Sequence, residues 1–277
     1  MKILSFNIWD LPLWFVRDRE TRISKIADYI LKSDADIVCL QESFDVKHRA
    51  FLNARLKGGG YYTTDKELET RRVLFISFDV TGGLMTFSKF PILESRFQNF
   101  NRFLNGSIVE YFSRKGFLET LVKTPQGNIR IANTHLHKPS FFFDVLVRRR
   151  QISVLLEALR VHSEIPTIIT GDFNQRNMLQ RRGFAELFKQ EGFFHPQKNK
   201  EALPQPTYRA KNPYVAIWAN KQDDAERFDY IFIKNMQQLG LKAVRYEPDY
   251  LKPPLSDHDP VLLILEEKRE NGNGHAS

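Results

Sequence analysis

An apolar run that ends abruptly in polar residues places the strongest constraint on the fold of this chain. Ile165-Pro166-Thr167-Ile168-Ile169 is typical of a buried strand, because β-branched residues dominate it. Thr170-Gly171-Asp172-Phe173-Asn174 follows at once and brings a carboxylate and an amide to the strand end. Oxygen ligands of this kind suit Mg²⁺, which keeps water and phosphate oxygens as its other ligands. The same residues also form good turns, so this stretch is informative only together with other strand ends.

The N-terminal segment repeats the arrangement of a buried strand with a polar residue at its end. Residues Lys2 to Ile8 alternate in strand fashion, and Asn7 lies near the end of this run. Arg19 to Lys32 carries apolar residues at helical spacing and is predicted to be a helix. Ile37 to Leu40 is a second buried strand, which is followed by Glu42. This order of strand, helix and strand predicts a layered α/β sheet.

Further along the chain, Phe117 to Lys123 and Ile129 to Leu136 are predicted to form an antiparallel pair, because a turn-rich connection joins them. His135 lies near the end of the second strand of this pair. Arg148 to His162 is a predicted amphipathic helix. We find neither a repeat nor a linker, so residues 1–265 are predicted to form one domain, followed by a disordered polar tail over residues 266–277.

The composition limits the compartment and the partners of the chain. No apolar run approaches the roughly 20 residues that cross a bilayer. Met1 to Phe15 is interrupted by polar residues and proline and shows no signal-peptide cleavage site, and Cys39 is the lone cysteine. A cytoplasmic location is therefore the default expectation. The formal charge of +8 favours anionic partners such as phosphates, nucleic acid or an anionic membrane.

Polar residues at or beside the predicted strand ends are the candidates for chemistry. Taken singly, each also has an ordinary explanation as a turn cap or a solvated side chain. Asp229 lies between Phe228 and Tyr230 and would need a partner if it is buried. The candidates are Asn7, Glu42, His135, Asp172, Asn174, Asp229, Asp257 and His258.

Six short motifs contain these candidate residues. Their order along the chain resembles that of the endonuclease/exonuclease/phosphatase superfamily, from Met1 to about Leu265. The resemblance implies an α/β fold, a four-layer sandwich of two packed, mainly antiparallel sheets flanked by helices. It places the site at one mouth of the two sheets. The motifs that carry it are Ser5-Phe6-Asn7, Leu40-Gln41-Glu42, Asn133-Thr134-His135-Leu136, Gly171-Asp172-Phe173-Asn174, Arg227-Phe228-Asp229-Tyr230-Ile231-Phe232 and Ser256-Asp257-His258.

The resemblance also implies a metal site, with Glu42 as the direct ligand of Mg²⁺ and with Asn7 and Asp257 beside it. Mn²⁺ is expected to substitute. The metal would offset charge on the phosphate oxygens and help the leaving oxygen depart.

The remaining motif residues are expected to be catalytic. His258 would take a proton from the attacking water, and Asp229 would hold its imidazole in the correct tautomer. Asp172 and Asn174 would orient the water and a phosphate oxygen, and His135 would donate to the phosphoryl oxygen or the leaving group. The expected reaction is in-line attack on phosphorus without a covalent intermediate.

The substrate is left with alternatives. Thr134-His135-Leu136-His137, Gly83 to Ile92 and Pro206-Thr207-Tyr208 are similar to neutral sphingomyelinases, so the first hypothesis is a sphingomyelinase-like phospholipid phosphodiesterase. A DNA or RNA endonuclease or exonuclease is the alternative, which the net charge and the arginines at 148–150 support. A catalytically inactive binding module is the weakest hypothesis, because every predicted catalytic position holds a residue type that can perform the chemistry.

The expected partners follow from these hypotheses. The chain should bind a phosphodiester substrate, either a lipid headgroup or a nucleic acid, and a monomer is expected. Contact with a membrane surface is a further expectation for Phe141-Phe142-Phe143, although three such residues beside a helix more often belong to a core.

Overall fold

A computed structural model describes residues 1–64, 70–73, 76–79, 81–100, 114–138, 144–176, 178–180, 182–196, 205–215 and 225–268. Two sheets form the body of the protein, and helices cover the outer face of each. The helices are α1 (Arg19–Ser33), α2 (Val46–Gly58), α3 (Asp144–Arg160) and α4 (Arg182–Gln190), with short 3₁₀ turns at Met178–Gln180 and Met236–Leu239. No helix among the described residues is long and apolar enough to cross a membrane.

The strands divide between a six-stranded sheet, with the order β14-β15-β1-β2-β6-β3, and a five-stranded sheet, with the order β13-β10-β9-β8-β7. Two small two-stranded sheets, β4–β5 and β11–β12, lie outside them. The strands are β1 (Lys2–Asp10), β2 (Ile37–Ser43), β3 (Tyr62–Thr63), β4 (Thr70–Val73), β5 (Ile76–Asp79), β6 (Met85–Ser88), β7 (Ile92–Asn99), β8 (Gly116–Thr124), β9 (Gly127–His135), β10 (Thr167–Asp172), β11 (Tyr208–Arg209), β12 (Ala225–Glu226), β13 (Asp229–Lys234), β14 (Leu241–Pro248) and β15 (Val261–Glu267).

The predicted four-layer sandwich of two mainly antiparallel sheets is confirmed. The pairs β1–β2 and β9–β10 are parallel, and the other neighbours within the two large sheets are antiparallel. Helices α1 and α2 pack on the first sheet, and α3 and α4 pack on the second. Between the sheets lies an aliphatic layer, since alternate residues of each strand face opposite sides. It includes Ile3, Ile37, Ile131, Ile168, Ile231, Val261 and Leu263.

The layer between the sheets becomes polar toward one end. On β10, Ile168 is followed on the same face by Thr170 and Asp172, and on β9 Ile131 is followed by His135. The register places Asp172 opposite His135 on β9 and opposite Asp229 on β13. Alternation within the strands therefore delivers their polar ends to one mouth of the sandwich.

The ends of the chain refine two expectations. Strand β15 continues through Glu267, so Glu266 and Glu267 pair with β14 and do not belong to a disordered tail. Lys268 is described as well, and its backbone N–H donates to Gly240 O at 2.7 Å. Residues 269–277 of the predicted tail and the segment Phe141-Phe142-Phe143 lie outside the described residues. Helix α3 begins at Asp144 and ends at Arg160, so it starts earlier and ends slightly earlier than predicted, and its apolar stripe is buried against the second sheet.

Candidate active site

A histidine and an aspartate form the most direct contact of the site. His258 Nδ1 lies 2.8 Å from Asp229 Oδ2, and both side chains are buried. Burial by itself lowers the pKa of His258, but the charges of Asp229 and Asp172 outweigh it and raise that pKa well above its ordinary value. His258 Nε2 lies 3.8 Å from Asp172 Oδ2, so this nitrogen faces the mouth where the other strand ends meet.

Asp172 is the centre of the polar cluster. Its Oδ2 accepts a hydrogen bond of 3.0 Å from Asn7 Nδ2 and lies 3.4 Å from His135 Nε2. Its Oδ1 accepts from the backbone N–H of Asn174 at 2.8 Å. Burial raises the pKa of Asp172, but the charges of His258 and His135 prevail and hold it well below the usual range. The carboxylate is therefore ionised, and four of the predicted residues converge on it.

A glycine allows Asp172 to reach this position. Gly171 has φ +145°, and a Cβ added there would lie 1.8 Å from Thr134 O. Only glycine fits this close approach of β10 to β9.

Glu42 reaches the site through an irregular backbone. Val38 and Leu40 face the helices, so strict alternation would send Glu42 to the same side. The register between β1 and β2 shifts near Asn7, and Glu42 has φ 57°, a left-handed conformation that costs about 1–2 kcal/mol. As a result, Glu42 Oε1 lies 3.6 Å from His135 Nε2.

Two groups of three side chains have the spacing of a metal site, with their ligand atoms all within 4.8 Å of one another. The first is Glu42, His135 and Asp172, and the second is Asp172, Asp229 and His258. Glu42 Oε2 is buried and makes no hydrogen bond within the described part of the chain, so the first group has an oxygen ready for a cation.

Two expected metal ligands occupy other positions at the mouth. The Asn7 side-chain oxygen accepts from the backbone N–H of Trp9 at 3.1 Å, while its amide nitrogen serves Asp172. Asp257 is partly buried, and its Oδ1 accepts from Ser256 Oγ at 3.2 Å. Burial, assisted by the charge of Glu42, raises the pKa of Asp257 to about 6. The ligand set Glu42, Asn7 and Asp257 stays a prediction.

A buried lysine is a member of the site that sequence reasoning missed. Lys115 is 4% exposed, and its Nζ lies 2.5 Å from His135 Nε2 and 3.0 Å from His135 Nδ1. It immediately precedes β8, and Gly116 on that strand pairs with His135 on β9. No local signal in the sequence marks this residue, because the predicted strand begins at Phe117 and lysine is ordinarily a surface residue.

Gln41 and Asn133 connect the two sheets beneath the site, and neither was chosen from the sequence. Gln41 Nε2 donates to Asn133 Oδ1 at 2.7 Å. Asn133 Nδ2 donates to Leu40 O at 3.0 Å and to Met85 O at 2.9 Å. Both side chains are fully buried, so these bonds fix the distance between the sheets where the polar end begins.

Residues Gln205–Val215, here called the strap, hold the backbone on both sides of the histidine–aspartate pair. Thr207 Oγ1 accepts from the backbone N–H of Asp229 at 3.2 Å, and Thr207 O accepts from Asp259 N at 2.7 Å. Arg209 donates twice to the Asp259 carboxylate, at 2.6 and 2.8 Å. The strap therefore ties the end of β13 to the residue after His258.

Two neighbouring basic residues have partners inside the protein. His137 Nε2 lies 3.0 Å from Asp144 Oδ1. Arg148, one of the arginines that supported a nuclease, is 4% exposed and donates to Gln175 Oε1 at 3.1 Å. Arg148 is therefore part of the packing of α3 and does not belong to an exposed nucleic-acid surface.

With this geometry in place, comparison with known proteins decides the family. The model of the Endonuclease/Exonuclease/phosphatase family matches residues 4–258, a range that includes all eight candidate residues. The chain belongs to this family. Enzymes of the family depend on a divalent metal ion, which agrees with a site built from carboxylates and imidazoles.

Individual relatives extend the comparison. The chain is 30% identical over 186 residues to an inositol phosphosphingolipids phospholipase C of Schizosaccharomyces pombe, covering 63% of this chain and 41% of that protein. It is 33% identical over 107 residues to a sphingomyelinase of Dictyostelium discoideum, covering 37% and 22% respectively. The chain thus spans less than half the length of either relative. A structure of beta toxin from Staphylococcus aureus with bound magnesium ions has a TM-score of 0.70 at 19% identity, covering 96% of this chain and 99% of that chain.

Proposed function

We propose that this chain is a Mg²⁺-dependent phosphodiester hydrolase in which His258 activates a water for in-line attack on phosphorus. The contact of His258 Nδ1 with Asp229 at 2.8 Å carries the proposal, because it leaves Nε2 directed toward the site. Asp172 and the group around Glu42 lie on the side that Nε2 faces. A base, an ionised carboxylate and a cation site then surround one point at the mouth.

The residues present fit a divalent cation. Glu42 and Asp172 offer carboxylate oxygens, and Glu42 Oε2 is buried without a hydrogen bond in the described part of the chain. Mg²⁺ prefers oxygen ligands and retains waters, so Glu42 and Asp172 are its first candidates, and Asn7 and Asp257 lie beside them. When bound, Mg²⁺ would supply positive charge that stabilises the phosphate oxygens and the leaving oxygen.

His258 moves the proton. Its Nε2 takes a proton from the attacking water, while Asp229 holds Nδ1 and stabilises the imidazolium that forms. The two carboxylates that raise the pKa of His258 also make its neutral imidazole a stronger base. Asp172, fixed by Asn7 and Asn174, orients the water beside Nε2.

Lys115 and His135 are the proposed donors to the phosphate of the substrate. The ammonium of Lys115 places a buried positive charge beside the imidazole of His135. Together they provide donors for the phosphoryl oxygens, on which negative charge grows during the attack. Donors that are already held in place need little reorganisation when the reaction occurs.

A phospholipid of the sphingomyelin type is the substrate that the relatives support best. The two curated relatives act on sphingolipids by name, and the similarity to the first extends over 186 residues. The arginine cluster supports the nuclease hypothesis only in part, because Arg148 is buried while Arg149 and Arg150 are exposed. Cleavage on the alcohol side of the phosphate would release phosphocholine from sphingomyelin.

Side-by-side assays test this proposal. Purified protein is given sphingomyelin in detergent micelles, a DNA duplex or an abasic-site duplex, with Mg²⁺ or EDTA, and with His258→Ala as the control. We expect Mg²⁺-dependent release of phosphocholine that the variant loses. Cleavage of DNA alone would overturn the lipid substrate and keep the mechanism, and no turnover of any substrate would contradict the proposed activity.

A further inference from the structure

An exposed apolar loop follows the first strand. Leu11–Val16, here called the Trp14 loop, has the sequence Leu-Pro-Leu-Trp-Phe-Val. The Trp14 side chain is 94% exposed, and its ring lies 5.8 Å from that of Phe15 in an edge-to-face contact. Leu11 and Leu13 are partly exposed as well. Exposure of an indole and its apolar neighbours to water is unfavourable in free energy, and an exposed apolar surface of this kind is typical of a binding site.

The Trp14 loop lies beside the mouth of the candidate active site. It begins directly after β1, which carries Asn7, and Asn7 donates to Asp172. The residue that follows the loop contacts the strap, because Arg17 donates to Pro213 O at 2.6 Å. The strap in turn holds the backbone next to His258. The loop is therefore linked, through the strap, to the backbone beside His258.

A buried arginine fixes both ends of the loop. Arg22 is 2% exposed and donates to Trp9 O at 2.8 Å on one side of the loop and to Arg17 O at 2.9 Å on the other. It also donates to Ile8 O and to Leu255 O, close to the Ser256-Asp257-His258 segment. Within the loop, Val16 is buried and its N–H donates to Leu13 O at 3.1 Å. The loop is thus a braced element that presents Trp14 outward.

We propose that the Trp14 loop inserts into the interfacial region of a phospholipid bilayer and docks the mouth of the site on the headgroups. Indole prefers the boundary between headgroups and acyl chains, where its apolar body and its N–H are both accommodated. Exposed basic side chains follow the loop (Arg17), follow β9 (Lys138) and lie on the strap (Lys211), and together with the formal charge of +8 they suit a surface of phosphates. The choice of a phospholipid bilayer as the partner rests on the proposed function, because the headgroups of a bilayer are phosphodiesters.

Vesicle binding tests the loop separately from catalysis. Flotation with phosphatidylcholine vesicles, with and without phosphatidylserine, is measured in EDTA, so that no turnover is needed. We expect Trp14→Ala to weaken the partition roughly tenfold to hundredfold, the range for burying one large apolar side chain. Phe194→Ala is the matched control, because Phe194 is 52% exposed and pairs with Ile233, at the end of β13 opposite Asp229. It should bind like the wild type.

A second readout places the loop in the lipid. Cys39 is buried and is the lone cysteine, so Leu13→Cys creates a single accessible thiol for a polarity-sensitive fluorophore and leaves Trp14 in place. We expect a blue shift of its emission on adding vesicles. Hydrolysis of a short-chain, water-soluble phosphodiester by Trp14→Ala should match the wild type, because Trp14 does not belong to the catalytic group.

Three results would overturn the proposal. They are wild-type protein that does not float, Trp14→Ala that floats as well as the wild type, and a dimer by sedimentation that Trp14→Ala abolishes without any vesicle binding. Lipid hydrolysis that survives any of them would keep the proposed function. Trp14-dependent flotation of an inactive enzyme would keep the loop and contradict the function.

Discussion

Removal of the Asp229 carboxylate should remove the negative charge that most directly stabilises the protonated imidazole of His258. His258 Nδ1 and Asp229 Oδ2 are 2.8 Å apart and buried, so the pair is poorly screened by water. Two unit charges about 4 Å apart interact by about 4 kcal/mol at an effective dielectric constant of about 20. Asp172, at 3.8 Å from His258 Nε2, keeps part of this stabilisation. We therefore expect Asp229→Ala to lose about 3–4 kcal/mol of transition-state stabilisation, a fall in kcat/KM of roughly 100- to 1,000-fold.

The pH profile separates the charge of Asp229 from its hydrogen bond. The base must be neutral to accept a proton, and the raised pKa of His258 places the acid limb of kcat/KM above the ordinary value for histidine. Asp229→Asn keeps a hydrogen-bond acceptor and removes the charge, so the pKa of His258 falls. The acid limb should therefore move to lower pH, as measured by kcat/KM for phosphodiester hydrolysis between pH about 5 and about 9.

A double-mutant cycle would refute this reasoning most sharply. If Asp229 acts through His258, adding Asp229→Ala to His258→Ala should cost little further rate. A second full loss of about 100-fold would show that Asp229 acts independently. Glu191→Ala, which removes a carboxylate paired with Arg160 outside the site, is the control and should leave the rate unchanged.

Four further changes test other parts of the account. Glu42→Gln should raise the Mg²⁺ concentration required for half-maximal activity at least about tenfold, and an unchanged Mg²⁺ affinity by calorimetry would place the metal elsewhere. Asn133→Ala removes three buried hydrogen bonds and should cost about 3 kcal/mol of unfolding free energy in urea, whereas a loss below about 1 kcal/mol would show that it does not brace the sheets. Arg209→Ala should lower kcat more than it changes KM, and Arg209→Lys should restore part of kcat. If both variants lose the same thermal stability and keep the wild-type kcat, the contact of Arg209 with Asp259 has only a structural role. Gly171→Ala should reduce soluble yield or thermal stability strongly, because its Cβ would meet Thr134 O, and normal stability would contradict the close approach of the strands.

Local patterns predicted much of the fold. The alternation of residues that predicted β1 matches the structure, in which one face of the strand packs toward the helices and the other toward the second sheet. The strand ends therefore pointed to Asn7, His135 and Asp172, which the structure brings together. Polar residues that follow buried strands are a signal that sequence alone can supply.

Helix α2 shows where local patterns fail. Its apolar residues do not form a clear stripe, and it begins at a cap in which the Asp45 side chain accepts from the N–H groups of Lys47 and His48. Strands β7 and β14 lie at the edges of the two sheets and carry mixed polar residues, so their pattern is weak as well. These elements are fixed by neighbours that are distant in the sequence.

The site also has members that no single strand reveals. Lys115 approaches His135 only because β8 and β9 pair in one register. Glu42 turns into the site through a positive φ, which alternation does not anticipate. The strap joins Thr207 to Asp229 across 22 positions of sequence. Each of these contacts depends on tertiary packing and could not be read from local periodicity.

Hydrolysis in H₂¹⁸O is the most direct test of the central claim, that a water activated at the mouth of the sandwich attacks phosphorus. Sphingomyelin micelles, Mg²⁺ and purified protein would be incubated in labelled water, and both products analysed by mass spectrometry. The account predicts one ¹⁸O atom in phosphocholine, none in the lipid alcohol, and no labelled product with His258→Ala. Label in the lipid alcohol, or a labelled product at the wild-type rate from His258→Ala, would contradict it.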